Sequence, residues 1–272
     1  MWTYNIYSLL NVDDNAVSLS SSCVFLLIFP RFLDTQTAEK HRQIVHQASG
    51  FPITMSIIEH VVLFKVREGT EQSKVDAMVN GLNGLVTLDA VLHLAAGPIL
   101  RVRSSLTNFT HMLHSRYKSK EDLDAYGSHP EHQRVVKENG QPICEDVMAV
   151  DWVADHDPNP LVPPPGSAVK VTFLKLKDNV SNEAKGEVLG VIKGIEEEIS
   201  GIQQITCGEN FSPGRAKGFS IASIVVFPGV PEMEAAESNE ELLSLQKEKI
   251  REHLDGVIVV DYVIPSPSYS SL

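Results

Sequence analysis

No run of Lys and Arg occurs anywhere in this 272-residue chain, and the formal net charge is −12. A polyanionic partner needs a basic face, so nucleic acid and an acidic membrane surface are excluded as natural ligands. Cysteine is scarce. Cys23, Cys144 and Cys207 lie far apart, odd in number and without C-x-x-C spacing, which excludes a disulfide scaffold and suits a reducing compartment. Long apolar runs are missing too: Cys23–Phe29 falls well short of the roughly 20 residues that a membrane-spanning helix needs. No Lys or Arg precedes Arg31, whereas Asp13 and Asp14 do, so a basic signal-peptide n-region and an acid-poor transit peptide are both absent. Residues 1–54 read as a poorly ordered extension, with Met55 a candidate alternative start.

What the chain does contain is itself, twice. With Phe109 set against Phe219, 110 residues on, Val61 meets Val171, Lys65 meets Lys175, Gly84 meets Gly194 and Val150-Asp151 meets Val260-Asp261. The period exceeds the roughly 20–50 residues of a solenoid unit. This is a duplicated domain, with enough chain for two compact units of about 100 residues. The boundaries read as domain 1 at residues 55–154, a linker at 155–167, domain 2 at 168–264 and a tail at 265–272. The linker holds five of the fifteen prolines and is stiff for that reason. The tail ends in Ser270-Ser271-Leu272, which resembles the Ser-Lys-Leu class of peroxisomal address. It implies an import receptor as partner and the peroxisome as destination, with the cytoplasm the alternative.

In the first copy Ile58–Val66 alternates as a strand, placing His60, Val62, Phe64 and Val66 on one face. Thr70 is positioned to cap a helix on which Val75, Met78, Val79, Leu82 and Leu85 recur. Strands are expected at Val91–Leu94 and Phe109–Tyr117, a helix at Lys120–Ala125, another opening at Pro130, and a last strand at Cys144–Val153. The second copy reads as a strand from Val169, a helix bearing Val188, Leu189, Ile192 and Ile195, a strand from Phe219, a helix near Leu242–His253 and a strand at Gly256–Val263. The order strand, helix, strand, strand, helix, strand describes an α+β, ferredoxin-like unit, an antiparallel sheet backed by helices. The uncovered face of one sheet is expected to pack on that of the other.

Three segments of the first copy carry chemistry: Glu59-His60-Val-Val-Leu-Phe-Lys65, Asn108-Phe-Thr-His-Met-Leu113, and Leu123-Asp-Ala-Tyr-Gly-Ser-His-Pro-Glu-His132. They resemble the stress-responsive A/B barrel (Dabb) family of plants, the third through its Tyr-x-x-His-Pro-x-His signature. The resemblance covers both copies, strongly in the first and as a fold pattern in the second. It implies two ferredoxin-like units whose antiparallel sheets close into one intramolecular barrel, in the tandem, peroxisomal type of member. The same segments are similar to those of olivetolic acid cyclase, a single-domain member that closes a polyketide by aldol chemistry. That similarity implies His132 as general base and Tyr126 as the phenol beside it, with His60 and His111 lining the cavity and His129 near the ligand. An imidazole titrating near neutrality can take a proton from carbon beside a carbonyl, and a phenol can donate to the resulting enolate.

Blander roles compete for each residue. His60 and His111 on apolar strands suit satisfied core histidines, and Tyr126 and His129 suit a turn into the helix at Pro130. His111 and His114, three apart on a strand, point to opposite faces, so a zinc site built from them is excluded. The resemblance also implies a possible magnesium ion on backbone carbonyls near Leu85, Val86 and Leu88, with no cofactor required. In the second copy His60 becomes Lys170, His111 becomes Ile221, Tyr126 becomes Ala236 and His132 becomes Leu242, so that copy is expected to complete the fold without acid–base chemistry. Two functions follow as expectations. One is a stress-response protein that binds a small apolar or carbonyl-bearing ligand, with homodimerisation of the tandem chain possible. The other is a cofactor-free cyclase or isomerase with His132 as base.

Overall fold

The computed structural model describes residues 57–104, 108–156, 158–238 and 248–265; the expectations for residues 1–54, for Leu242 and for Ser270, Ser271 and Leu272 lie outside them. The first repeat runs β1 (Ile58–Val66), α1 (Gln72–Gly84), β2 (His93–Pro98), β3 (Arg101–Ser104), β4 (His111–Tyr117), α2 (Lys120–Ser128), α3 (Pro130–Val135) and β5 (Cys144–Val153). The second runs β6 (Ala168–Leu176), α4 (Asn182–Glu198), β7 (Gln204–Glu209), β8 (Ile221–Phe227), α5 (Val230–Glu237) and β9 (Leu254–Val263). Both are antiparallel α+β units of the expected ferredoxin-like kind. Thr70 does not cap α1: its hydroxyl donates to the Arg67 carbonyl, 2.7 Å away, and Glu71 takes the cap position without a side-chain bond.

Alternation along β1 sorts its residues between two cores. Val62 and Phe64 face the helices of their own repeat, with Met78, Leu82, Tyr117 and Tyr126. Val61 and Leu63 face the other way, into a core shared with Val171, Phe173, Ile224 and Val260 of the second repeat. Each sheet therefore covers the other, as the pattern required. A one-residue slip would exchange these two sets.

The sheets do not close into one barrel. The first has the order β2-β4-β1-β5 and the second β3-β9-β6-β8-β7, and neither closes on itself. After β2 only Ile99 and Leu100 intervene before the chain crosses over. Leu100 donates its amide to the Asp261 carbonyl at 2.9 Å, and β3, a strand absent from the sequence reading, pairs with β9. The opposite seam holds a single bridge, Trp152 with Asn210. There the Asn210 side chain accepts the Asp151 amide at 3.1 Å, where a continued ladder would use a carbonyl, and a side chain competing for the backbone in this way ends a ladder. Gly208 permits the close approach, since a Cβ on it would stand 2.6 Å from the Val153 carbonyl oxygen and 2.9 Å from Trp152.

Between the sheets, beside the linker, lies a wholly buried polar group. Glu59, His93, His114 and Arg116 of the first repeat meet Gln204 and Thr206 of the second. The Glu59 carboxylate accepts from His114 Nε2 at 2.6 Å, Arg116 Nη2 at 3.0 Å and the Thr206 hydroxyl at 3.0 Å. Arg116 also donates to Gln204 Oε1 at 2.5 Å and to the Leu161 carbonyl at 2.6 Å, while Gln204 donates to the Pro160 carbonyl at 2.9 Å. One guanidinium thus ties both repeats and the linker. At the same register the second repeat has Val169, Ile224 and Val226 for Glu59, His114 and Arg116.

Removing one member of a buried ion pair strands the other at a cost of about 3–5 kcal/mol, whereas replacing both by apolar groups costs less. Arg116→Met should lower the urea-unfolding free energy by about that amount, and Glu59→Leu/Arg116→Met by less. A double variant no more stable than the single one would show that the pair is not what matters.

Acid should act on the same group. Burial first, then the neighbouring charges of His114 and Arg116, push His93 from 6.5 down to about 2. His114 is also lowered, by burial above all, against the raising effect of Glu59. Glu59 is held below its usual 4.5 because Arg116 and His114 outweigh its burial. The unfolded chain therefore binds more protons than the folded one between about pH 6.5 and 2, and stability falls as pH drops through that window. His93 alone should remove about 2 kcal/mol between neutral pH and pH 5. His93→Leu should flatten the pH dependence of the unfolding midpoint; an unchanged slope would place the acid sensitivity elsewhere.

Candidate functional site

The helix-facing side of the first sheet gathers the candidate residues. His60 on β1 lies opposite Ser115 of β4 and Asp151 of β5. Its Nδ1–H donates to the Asp151 carboxylate in a short bond, both side chains being nearly buried. The His60 ring meets Tyr117 at 6.2 Å and Tyr126 at 6.3 Å between centroids, both edge-on. Tyr126 then stacks at 5.2 Å on Tyr117 and at 4.5 Å on His132. The Tyr117 hydroxyl is 2.9 Å from the Ser115 hydroxyl.

Local sequence explains how the helices deliver their residues. Ser119 caps α2, its hydroxyl accepting the Asp122 amide at 3.2 Å, which is the bond an N-cap serine makes. The helix stops at His129, which starts α3 by accepting the Glu131 amide on Nδ1 at 3.1 Å, with Pro130 in the first turn. His129 is exposed and serves as this cap. His132, one turn on, returns to the end of α2 and donates Nδ1–H to the Gly127 carbonyl at 3.0 Å. That bond fixes the tautomer and leaves Nε2 with its lone pair.

His111 does not join the group. It sits opposite Phe64, four residues along β1 from His60, or roughly 13 Å at strand rise, and its Nδ1 is 2.9 Å from the Thr110 hydroxyl. His114 points between the sheets, as parity required. Among the described residues no three His, Cys, Asp or Glu converge as a metal-binding set. At Leu85 and Leu88 the carbonyls each accept one amide, from Leu88 at 3.2 Å and Val91 at 2.9 Å. Each keeps a second lone pair, and all-oxygen donors are the kind a hard cation takes.

Burial tunes the group. It pushes the Tyr126 and Tyr117 phenols well above the usual tyrosine range. It lowers His132, against the Gly127 bond, which raises it. Burial would raise Asp151, but His60 and Ser212 outweigh it and hold the carboxylate below its ordinary value. The four rings form one connected group in which Tyr126 touches the other three, and His132 is its half-buried outer member.

Sequence reasoning missed Asp151, Tyr117 and Ser115. The repeat alignment carried the signal for the first: Asp151 and Asp261 share a register position, each opposite the residue of interest, His60 or Lys170. The second copy is accordingly not stripped of ionisable groups. Lys170 bonds Asp261 at 2.5 Å and Glu237 at 2.7 Å, and Arg101, brought by β3, bonds the same two at 2.6 and 2.8 Å. A permanent ion cluster stands where the first copy has a histidine–carboxylate pair.

Comparison with known proteins gives the same picture. The Stress responsive A/B Barrel Domain (Dabb) profile matches the chain twice, at residues 58–154 and 168–264. One stress-response A/B barrel domain-containing protein of Arabidopsis thaliana is 56% identical over 79% of this chain and 81% of its own length. A second Arabidopsis protein of the same description is 53% identical over 78% of this chain and 99% of its own. A solved Fusobacterium nucleatum structure, provisionally named a monooxygenase, shares the fold at a TM-score of 0.55, with 13% identity over 78% of this chain and 93% of that one.

Proposed function

The chain belongs to the stress-responsive A/B barrel family, in tandem form, and from that premise we propose that it is a small-molecule-binding protein of the stress response. The ligand is held against His132 and Tyr126 of the first repeat, and the second repeat completes the fold. The observation that carries this is the packing of the His60, Tyr117, Tyr126 and His132 rings into one continuous cluster. Its counterpart positions in the second repeat hold Lys170, Phe227, Ala236 and Leu242. A tightly packed aromatic wall suits a ligand with an apolar or carbonyl-bearing body. The placement proposed is the peroxisome, on the strength of Ser270-Ser271-Leu272. A magnesium ion on the Leu85–Leu88 turn would be structural, and no step depends on it.

A second reading, a cofactor-free cyclase or isomerase, has one observation in its favour. His132 is anchored through Nδ1 with Nε2 bare, the form a general base requires, and Tyr126 stands beside it. Against it, Tyr126 is buried among His60, Tyr117 and His132, so a neighbour must move before the phenol can polarise a carbonyl.

Native mass spectrometry of the full chain after exposure to a plant metabolite extract should show one small molecule retained per chain, lost in His132→Ala and Tyr126→Phe. An adduct indifferent to both substitutions would remove this site from consideration, and conversion of the retained molecule by the wild type alone would favour the enzyme. For localisation, the chain with a fluorescent protein ahead of its first residue should accumulate in peroxisomes and become diffuse when Leu272 is deleted. A diffuse signal from the intact tail would reject import.

A further inference from the structure

The first repeat's site is finished by the second repeat. Beyond β7, the Asn210–Arg215 segment lies along β5: the Phe211 amide donates to the Asp151 carbonyl at 3.0 Å, and the Asn210 side chain accepts the Asp151 amide at 3.1 Å. The Phe211 ring packs into the first repeat's sheet–helix core and lies 4.1 Å beneath the Lys120 ammonium. The turn Pro213–Arg215 packs on β5, and the Arg215 charge acts on both Asp151 and His132. Arg215 is exposed. Neither it nor Lys120 forms an ion pair among the described residues. Asp151 is already answered by His60.

The second repeat shows what such cations do when an anion is supplied. There Glu237 takes Lys170 at 2.7 Å, Arg101 at 2.8 Å and Arg103 at 2.8 Å. The residue at the same position in the first repeat is Gly127, where an added Cβ would meet nothing within 4 Å. The carboxylate that completes the second cluster has no counterpart in the first, where His60 replaces Lys170 and Phe211 and Pro213 stand at the positions of Arg101 and Arg103; the cation that the same segment supplies instead is Arg215.

We propose that the ligand of the first repeat carries a carboxylate-sized anionic group, seated beside Gly127 where Glu237 has its own carboxylate, and that Arg215 of the second repeat selects it. This rests on the ligand-binding reading above and adds the charge of the ligand to it. The tandem arrangement thereby acquires a specific use, since the selecting cation comes from the repeat that lacks the aromatic cluster. The effect is that of an exposed charge, about fivefold at most, and salt should weaken it.

Benzoate and its neutral analogue benzamide can be titrated into the full chain by ligand-observed NMR. Benzoate should bind more tightly, by up to about fivefold, and Arg215→Gln should erase that preference without changing benzamide. Gly127→Glu should erase it as well, because the tethered carboxylate takes the cations, whereas Gly127→Gln should keep it. The His132 imidazole pKa should rise in Gly127→Glu and not in Gly127→Gln, since a nearby carboxylate favours the imidazolium. Equal binding of the two probes by the wild type, or a preference that survives both Arg215→Gln and Gly127→Glu, overturns the proposal. If both probes bind equally and His132→Ala abolishes both, the binding site stands and only anion selection falls. If neither binds, both readings fail together.

Discussion

The Glu59–Arg116 pair is the contact on which the arrangement of the two repeats depends. Burying two charges is unfavourable unless every lone pair and proton finds a partner, and here the partners come from three separate stretches of chain. Gln204 and Thr206 belong to the second repeat, Pro160 and Leu161 to the linker, and His114 to the first. None can withdraw without leaving a charge uncompensated in a dry interior. The apolar contacts between the sheets supply most of the attraction, but they tolerate sliding. The ion pair fixes which residue lies opposite which.

Fixing that alignment positions everything at the rim. With β7 held by Gln204 and Thr206, the following Asn210 reaches Asp151 and the following Phe211 reaches the first repeat's helices. On the other side β2 runs on into β3 and delivers Arg101 to Asp261. The two halves exchange equivalent segments, and each completes the other's helix-side group. The same backbone position thus carries two chemistries: an imidazole on a carboxylate in one half, and a lysine on a carboxylate in the other.

Much of this was legible in the chain. The 110-residue offset and the alternation of Ile58–Val66 set out both units and the face each sheet buries, because those depend on local periodicity. The Tyr126–His132 cluster was legible from its motif. The β3 crossover was not, since Arg-Val-Arg-Ser has no apolar face and becomes a strand only because the edge of β9 is free to receive it. Strand β7 and helix α5 were missed for a related reason: their apolar residues are too few to show a period. The cap made by His129 and the separation of His111 from the other rings were not legible, because a residue type does not reveal whether a nitrogen caps an amide or faces its neighbours. Glu59 and Arg116 drew no notice at all. A charged residue in a strand ordinarily faces water, and only the pairing of two distant strands with the linker makes these an interior group.

Strand β3 also sets an order of events for a chain emerging from the ribosome. Arg101 is made early, and its partner Asp261 is 160 residues further on. Until the last strand is complete, the crossover segment has no edge to join, and the first repeat must hold its own sheet without it. Contacts of such long sequence separation are the slow ones. The first repeat therefore waits, with the Leu100 amide unpaired and the inner face of β1 uncovered, for the whole of the second, and that interval is when a neighbouring copy of the chain could take the same place.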